Sequence, residues 1–141
     1  MGNATYLGFD FGLKKIGVAV GQTISRSASA LTVIFVEKEG LPWKKIDGLI
    51  ATWKPQGLIV GQPLNMDGSR QNLTDLAAAF SQRLAKRYTL PVYEIDERLS
   101  SAAVRETVFA QGGYRALRKK PIDGLAAKLI LEDWLNQHSE K

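Results

Sequence analysis

Three acidic residues occupy positions from which they could share one ion. Asp10 interrupts an apolar stretch, LGFDFG, that otherwise has the pattern of a buried β-strand. Glu97 directly follows the short run VYEID, and Asp123 lies near the start of the last helical pattern, KKPIDGLAAKLIL. Burying an unpaired carboxylate costs free energy, so a strand that carries one needs a compensating partner. If the three acids meet, their like charges require a cation between them.

Each acid also has an ordinary structural explanation, which the residues alone leave open. Asp10 could cap a helix or pair with a neighbouring lysine, and Glu97 could pair with Arg98 or lie at the start of the next helix. Asp123 suits a helix N-terminus, because the helix dipole favours acids there. A shared site therefore depends on whether the fold brings the three acids together.

Five segments have the length and composition of β-strands. Residues 5–11, 16–22 and 30–37 are joined by short loops, which predicts three antiparallel neighbours. Residues 57–61 and 92–96 are shorter, and a helical pattern precedes each of them. Strands that are separated by helices run parallel through right-handed crossovers, so we expect the first and fifth strands to be parallel.

Four segments have the spacing of helices. Apolar residues recur on one helical face over residues 43–53, and Pro55 ends that pattern. Further helices are predicted for residues 73–84, 100–111 and 121–136. The fold class is therefore α/β, with a mixed five-stranded sheet of three antiparallel and then two parallel strands, flanked by helices.

Side chains alternate between the two faces of the first strand, which separates Asp10 from its apolar neighbours. Phe9 and Phe11 share one face, while Gly8 and Asp10 share the other, where Gly8 leaves space near the carboxylate. Because the first and fifth strands are expected to be parallel, Asp10 and Glu97 should emerge at the same C-terminal edge. Open α/β sheets usually place their sites at that edge.

Carboxylate ligands without cysteine or a nearby histidine favour Mg²⁺ or Mn²⁺. The chain has no cysteine and one histidine, His138, in polar C-terminal sequence. Two such ions about 3.5–4 Å apart can activate a water and stabilise the leaving oxygen in phosphodiester hydrolysis. The pattern therefore indicates a metal-dependent phosphodiester hydrolase in which Asp10 is a ligand.

Composition and charge fit one domain that binds a polyanion. The chain has 141 residues, 45% of them apolar, and a net charge of +5, which predicts a single domain over residues 1–141. No apolar run reaches the length of a membrane span, no secretory signal is recognisable, and the lack of cysteine fits a reducing cytoplasm. Residues 111–120 are basic, and we expect a mobile loop that contacts phosphates, with an ordinary solvated connection as the alternative.

Several motifs together resemble the YqgF family of ribonuclease H-like proteins, which is also called RuvX. They are GFDFGLKKIGVAVG (8–21), IVGQPLNMDGS (59–69), DERLSS (96–101), QGGYRALRKKPIDGLAA (111–127) and LILEDWL (129–135). The resemblance covers nearly the whole chain and implies a ribonuclease H-like fold. Members of this family are described as Holliday-junction resolvases and as nucleases that process the 5′ end of pre-16S ribosomal RNA.

The resemblance also implies roles for particular residues. The catalytic, metal-binding acids would be Asp10, Glu97 and Asp123. We predict that Asp10 bridges the metals and that the other two acids complete their shell. Related resolvases tend to use four acids, and no fourth acid is evident in this sequence. Together with the basic loop, the positions expected to contact nucleic acid are Lys14, Asn65, Arg98, Arg115, Arg118 and Lys119.

Cytoplasmic processing of pre-16S rRNA is the function we expect, and Holliday-junction resolution in DNA recombination is the alternative. A resolvase makes two coordinated cuts and would act as a homodimer, whereas an rRNA-trimming enzyme need not. An actin-like ATP-binding domain shares the sheet, but the chain is too short for its two-domain cleft. A non-catalytic rRNA-binding assembly factor would still bind rRNA without Asp10.

Overall fold

The computed structural model of the chain describes residues 4–38, 40–62, 72–96 and 125–138. None of the helices in these ranges is long and apolar enough to cross a membrane. The strands are β1 (Thr5–Asp10), β2 (Lys15–Gln22), β3 (Ser27–Phe35), β4 (Gly57–Gln62) and β5 (Val92–Asp96). The helices are α1 (Trp43–Trp53), α2 (Asn72–Tyr88) and α3 (Leu125–His138).

The strands form one mixed sheet in the order β3-β2-β1-β4-β5. β2 pairs antiparallel with both β1 and β3, whereas β4 pairs parallel with both β1 and β5. The predicted arrangement of three antiparallel and then two parallel strands is therefore confirmed. Because β1 is the central strand and has a hydrogen-bonded neighbour on each side, its backbone is held in place on both edges.

The third strand differs from its prediction. The apolar pattern predicts residues 30–37, but β3 covers Ser27–Phe35. The strand begins with small residues, Ser-Ala-Ser, which carry little β propensity, so pairing with β2 rather than composition makes them extended. The register also shifts between Val18 and Ala19 of β2, which leaves Leu31 as the extra residue of a β-bulge.

The helices agree with their predicted positions and differ in length. α1 covers the predicted range, and Lys54 ends it in the left-handed conformation, with φ 47°, just before Pro55. α2 continues for one more turn than predicted, to Tyr88, and α3 ends at His138. The predicted helix over residues 100–111 and the predicted start of the last helix lie outside the described residues.

Large aromatic side chains fill the core between the sheet and the pair α1 and α2. The ring of Phe80 on α2 lies 5.7 Å from that of Phe9 and 4.9 Å from that of Phe11, measured between centroids. Trp43 of α1 stacks on Phe80 at 5.9 Å. Such aromatic pairs add about 0.5–1.5 kcal/mol each beyond simple burial. Trp43 packs against this core, and Trp134 is buried on the other face of the sheet.

The core under α3 is built by close approach of the helix to the sheet. A Cβ atom placed on Gly8 would lie 2.8 Å from the Leu131 Cβ, and one placed on Gly21 would lie 2.8 Å from the Leu135 Cδ1. Only residues without a side chain allow this spacing. Because Gly21 is paired near the start of β1 and Gly8 lies near its end, α3 runs antiparallel to β1 and begins on the side of Asp10.

Candidate active site

Asp10 is the last residue of β1 and is fixed by the strands on both sides. It pairs with Gly17 of β2, and the preceding residue, Phe9, pairs with Val60 of β4. The Asp10 side chain is only 6% exposed. The carboxylate is therefore held at a defined point at the end of the central strand, in surroundings where burying a charge is costly.

Asp10 belongs to the α3 face of the sheet. Gly8, two residues earlier, lies directly under α3, whereas Phe9 belongs to the core on the other face. Gly17, the residue opposite Asp10, adds no side chain to this face. The structure places Gly8 on the α3 face and Phe9 on the other, and alternation assigns Asp10 to the face of Gly8. Gly8 and Gly17 are then its small neighbours on its own and the adjacent strand.

The three parallel strands end at the same edge of the sheet. Gln62, at the end of β4, pairs with Asp96, at the end of β5. β4 is also parallel to β1, so Asp10 lies at this edge too. The expectation that the first and fifth strands finish together is confirmed, and the edge is the one at which open α/β sheets usually bind ligands.

The turn after Asp10 brings positive charge to this edge. Lys14 is exposed, and its ammonium group makes no ion pair with any residue in the described part of the chain. Its carbonyl accepts a hydrogen bond from the Val36 N–H at 2.9 Å, which ties the turn to the end of β3. Lys14 lies in the turn four residues after Asp10, and its contact with nucleic acid stays a prediction.

The other predicted site residues lie outside the described residues. They are Glu97, Asp123, Asn65, Arg98, Arg115, Arg118 and Lys119. Within the described ranges, no three acidic, histidine or cysteine side chains come together in a way that could hold a metal ion. The described part of the site is Asp10 with its surroundings, and the grouping of three acids stays a prediction.

The strand register brings a further residue to the Asp10 side of the sheet. Phe35 pairs with Lys15 of β2, two residues from the pair of Gly17 and Asp10. Its neighbour Ile34 is buried in the core on the opposite face, so Phe35 belongs to the face of Asp10. The Phe35 side chain is 59% exposed. Sequence reasoning missed this residue, because an aromatic in an apolar strand has the local pattern of a core residue.

A charged cluster joins α1 to α2 on the other face of the sheet. Arg87 donates two hydrogen bonds to the carboxylate of Asp47, at 2.9 and 2.8 Å, and the Tyr88 hydroxyl donates a third at 2.6 Å. The bonds from Arg87 and then Tyr88 lower the pKa of Asp47 to about 2. Burial and the bond to Asp47 raise the pKa of Tyr88. The guanidinium groups of Arg83 and Arg87 lie over the Trp43 ring, 4.8 and 5.1 Å from its centroid, so this cluster fixes the two helices to each other.

Comparison with known proteins shows one family over nearly the whole chain. It matches the family described as "RuvX: Holliday junction resolvase" over residues 4–137. A protein of Legionella pneumophila named "Putative pre-16S rRNA nuclease" is 49% identical over 138 residues, which are 97% of this chain and 99% of that protein. A protein of the same name from Haemophilus ducreyi is 47% identical over 135 residues, 95% of this chain and 97% of that protein.

Solved resolvases share the fold at low sequence identity. Thermus thermophilus RuvC in complex with Holliday junction substrate has a TM-score of 0.57 and 17% identity, covering 95% of this chain and 94% of that one. The fowlpox virus resolvase in complex with Holliday junction DNA has a TM-score of 0.53 and 12% identity, covering 94% and 97%. The predicted ribonuclease H-like fold is thereby confirmed. With a family match over nearly its whole length and relatives almost half identical to it, the chain belongs to the RuvX family.

Proposed function

We propose that this protein is a metal-dependent nuclease that hydrolyses phosphodiester bonds in structured nucleic acid and processes the 5′ end of pre-16S ribosomal RNA. The observation that carries the proposal is the buried carboxylate of Asp10 at the C-terminal edge of the sheet, in a chain of the RuvX family. The names of relatives at 47% and 49% identity favour pre-16S rRNA as the substrate.

Asp10, Glu97 and Asp123 are the residues that would hold Mg²⁺ or Mn²⁺. Their donor atoms are carboxylate oxygens, which are the ligands these ions prefer. Asp10 fits this role because its carboxylate is buried on a central strand, where a shared cation would offset the cost of burial. Such ions, when bound, supply a nucleophilic water and stabilise the leaving oxygen of the scissile bond.

The positions of the neighbouring chain ends support a grouping of the three acids. β5 ends at Asp96, the residue before Glu97, on the same edge of the sheet as Asp10. α3 begins at Leu125, two residues after Asp123, and packs on β1. Successive Cα atoms are about 3.8 Å apart, so covalent connection alone keeps both acids near these described ends.

Basic and polar residues around the site would hold the phosphate backbone. Lys14 extends from the turn that follows Asp10, and the net charge of +5 favours binding to a polyanion. Such contacts position the nucleic acid without reading its sequence. The further residues proposed for this role are Asn65, Arg98, Arg115, Arg118 and Lys119.

Resolution of Holliday junctions is the second candidate function. It is supported by the description of the family whose pattern this chain matches. A resolvase has to make two coordinated cuts, and a homodimer is the simplest way to supply two active sites. Cleavage assays on both substrates, together with the oligomeric state of the active species, distinguish this candidate from rRNA processing.

Cleavage of labelled pre-16S rRNA and of a labelled four-way DNA junction, with Mn²⁺ and with EDTA, tests the proposal. Asp10→Asn should lower the rate on the preferred substrate by about 10³-fold, because a metal that is bound poorly forfeits several kcal/mol of transition-state stabilisation. Glu94→Gln is the matched control, since Glu94 is an exposed acid on β5, and it should cleave at the wild-type rate. Equal rates for Asp10→Asn and the wild type would refute the assignment, and cleavage in EDTA would refute the metal dependence.

A further inference from the structure

Three exposed residues and one half-buried lysine, Lys15, lie together at the corner of the sheet, where β1 turns into β2 and β3 ends. They are Leu13, Lys14, Lys15 and Phe35, called here the corner surface. Leu13 is 66% exposed and Phe35 is 59% exposed. The hydrogen bond between the Val36 N–H and the Lys14 carbonyl holds the turn and the strand end together. Two large apolar side chains are therefore displayed beside two lysines at one place on the surface.

Two residues of the corner surface, Lys15 and Phe35, belong by strand alternation to the side of the sheet that carries Asp10. β2 connects this surface to Asp10, because Gly17 pairs with Asp10 and Lys15 pairs with Phe35. With about 4.8 Å between neighbouring strands and about 3.4 Å per residue, the Cα atoms of Phe35 and Asp10 lie about 12 Å apart. A nucleic-acid strand whose scissile phosphate is bound at Asp10 would therefore reach Phe35 within a few nucleotides.

Phe35 also borders a cavity that runs along the edge strand. The cavity has a volume of about 280 Å³ and is lined by Ala30, Leu31, Thr32, Val33 and Phe35. An exposed aromatic ring next to basic side chains is the combination that binds single-stranded nucleic acid, since bases stack on the ring and cations attract the phosphates.

We infer that Phe35 is a stacking platform for an unpaired base of the bound strand, and that Lys14 and Lys15 contact the flanking phosphates. This inference rests on the proposed nuclease function and makes its substrate more specific. The substrate has a single-stranded segment beside the scissile bond. Because stacking on an aromatic ring tolerates every base, Phe35 selects for unpaired nucleic acid rather than for a sequence.

A second copy of the chain is the rival occupant, because β3 is an edge strand and such strands can pair with another chain. Two features of β3 oppose this pairing. The Ala28 N–H already donates to the Glu132 carboxylate of α3 at 3.1 Å. The bulge at Leu31 interrupts the regular spacing of backbone groups. At one end of β3 a backbone donor is therefore already bonded, and in the middle the backbone spacing is irregular. The lysines near the other end of the strand favour an anion.

Binding measured in EDTA, where the proposed reaction cannot proceed, tests this inference separately from cleavage. The probe is a labelled single-stranded RNA that spans the mature 5′ end of 16S rRNA, compared with a series in which one base at a time is replaced by an abasic site. Phe35→Ala should weaken binding of the intact RNA about tenfold, and Phe35→Trp should retain it. Ile24→Ala is the control, since Ile24 is 71% exposed in the turn at the opposite edge of the sheet, and it should bind as the wild type does.

The abasic series identifies the base that stacks. Removing one particular base should weaken binding to the wild type by the same factor as Phe35→Ala, and it should have no further effect on the Phe35→Ala variant. Equal affinities of the wild type and Phe35→Ala for every RNA would overturn the inference, even where cleavage depends on Asp10. Base-dependent binding without any cleavage would instead sustain the stacking role and reject the nuclease. A dimer that Phe35→Ala dissociates, with RNA binding unchanged, would assign the surface to a second copy and overturn the inference.

Discussion

The two faces of the sheet are packed in opposite ways. Against α1 and α2, the rings of Phe9, Phe11 and Phe80 fill the space between sheet and helices with large side chains. Against α3, Gly8 and Gly21 let the helix come so close that even a methyl group would collide with it. On the first face, large side chains fill the space between sheet and helices. On the second face, the glycines of β1 and β2 let α3 lie close to the sheet, beside the contact of Tyr6 with Trp134 at 4.9 Å.

This difference shows how the fold separates stability from function. The aromatic face is closed by two helices and suits a core. On the other face, α3 contacts β1 at Gly8, and the strand continues past this contact to Asp10. The glycine therefore sets the position of α3 relative to the strand that carries the candidate catalytic residue.

Gly8→Ala should destabilise the protein by about 1–3 kcal/mol, the usual cost of overpacking a well-packed site. The new Cβ would lie 2.8 Å from the Leu131 Cβ, an atom that cannot rotate away because it is bonded directly to the helix backbone. Urea unfolding followed by circular dichroism measures this change. An unchanged free energy of unfolding for Gly8→Ala would show that the packing of α3 on β1 does not depend on a glycine at this position. It would contradict the difference described between the two faces.

Gly48→Ala is the matched control, and it should change stability in the opposite direction. Gly48 lies on α1, and a Cβ built there has no heavy atom within 4 Å apart from its chain neighbours and the backbone of its own helix. Alanine should therefore stabilise the helix by about 0.5–1 kcal/mol in the same urea assay, because it loses less conformational freedom than glycine. A loss of stability in Gly48→Ala would show that the two glycines do not differ as described.

Of the substitutions considered, Asp47→Asn should change the free energy of unfolding least, and the size of its effect should depend on pH. The hydrogen bonds from Arg87 and Tyr88 lower the pKa of Asp47 to about 2, below the value of about 3.9 expected in an unfolded chain. A lowered pKa stabilises the folded state above about pH 4, and this contribution is lost as the pH falls towards 2. The pair is well exposed, so the effect at neutral pH should be small and should weaken with salt.

Urea midpoints measured at neutral pH and near pH 2 test this prediction. The difference between the wild type and Asp47→Asn should shrink as the pH falls. Glu94→Gln should show no such trend, because the exposed Glu94 carboxylate makes no ion pair or hydrogen bond with a described residue. A difference for Asp47→Asn that stays constant over this range would contradict the role given to the Arg87 and Tyr88 contacts.

The central strand could be predicted from the sequence because its signal is local. Alternation alone puts Phe9 on one face and Gly8 and Asp10 on the other, and the structure agrees for Phe9 and Gly8. The sheet order could also be predicted, since short loops favour antiparallel neighbours and intervening helices favour parallel ones. Asp10 stands out for the same reason, as a charge within a pattern that is otherwise apolar.

The edge strand and the contacts between helices could not be predicted, because they depend on tertiary pairing. Phe35 lies opposite Lys15 in the pairing of β2 with β3, and the register of this pairing shifts at the bulge opposite Val18 and Ala19. Asp47 and Arg87 are 40 residues apart, and no local spacing relates them. Features that rest on long-range contacts leave little trace in a single sequence, and the corner surface is one of them.

A calorimetric titration of the wild type and Asp10→Asn with Mn²⁺ tests most directly whether the Asp10 carboxylate holds a divalent ion. We predict that the wild type binds Mn²⁺ and gains about 2.7 kcal/mol of stability at a free concentration of about a hundred times its Kd. Asp10→Asn should bind at least about tenfold more weakly, since it lacks a charged ligand. Equal Mn²⁺ affinities for the two proteins would contradict the account.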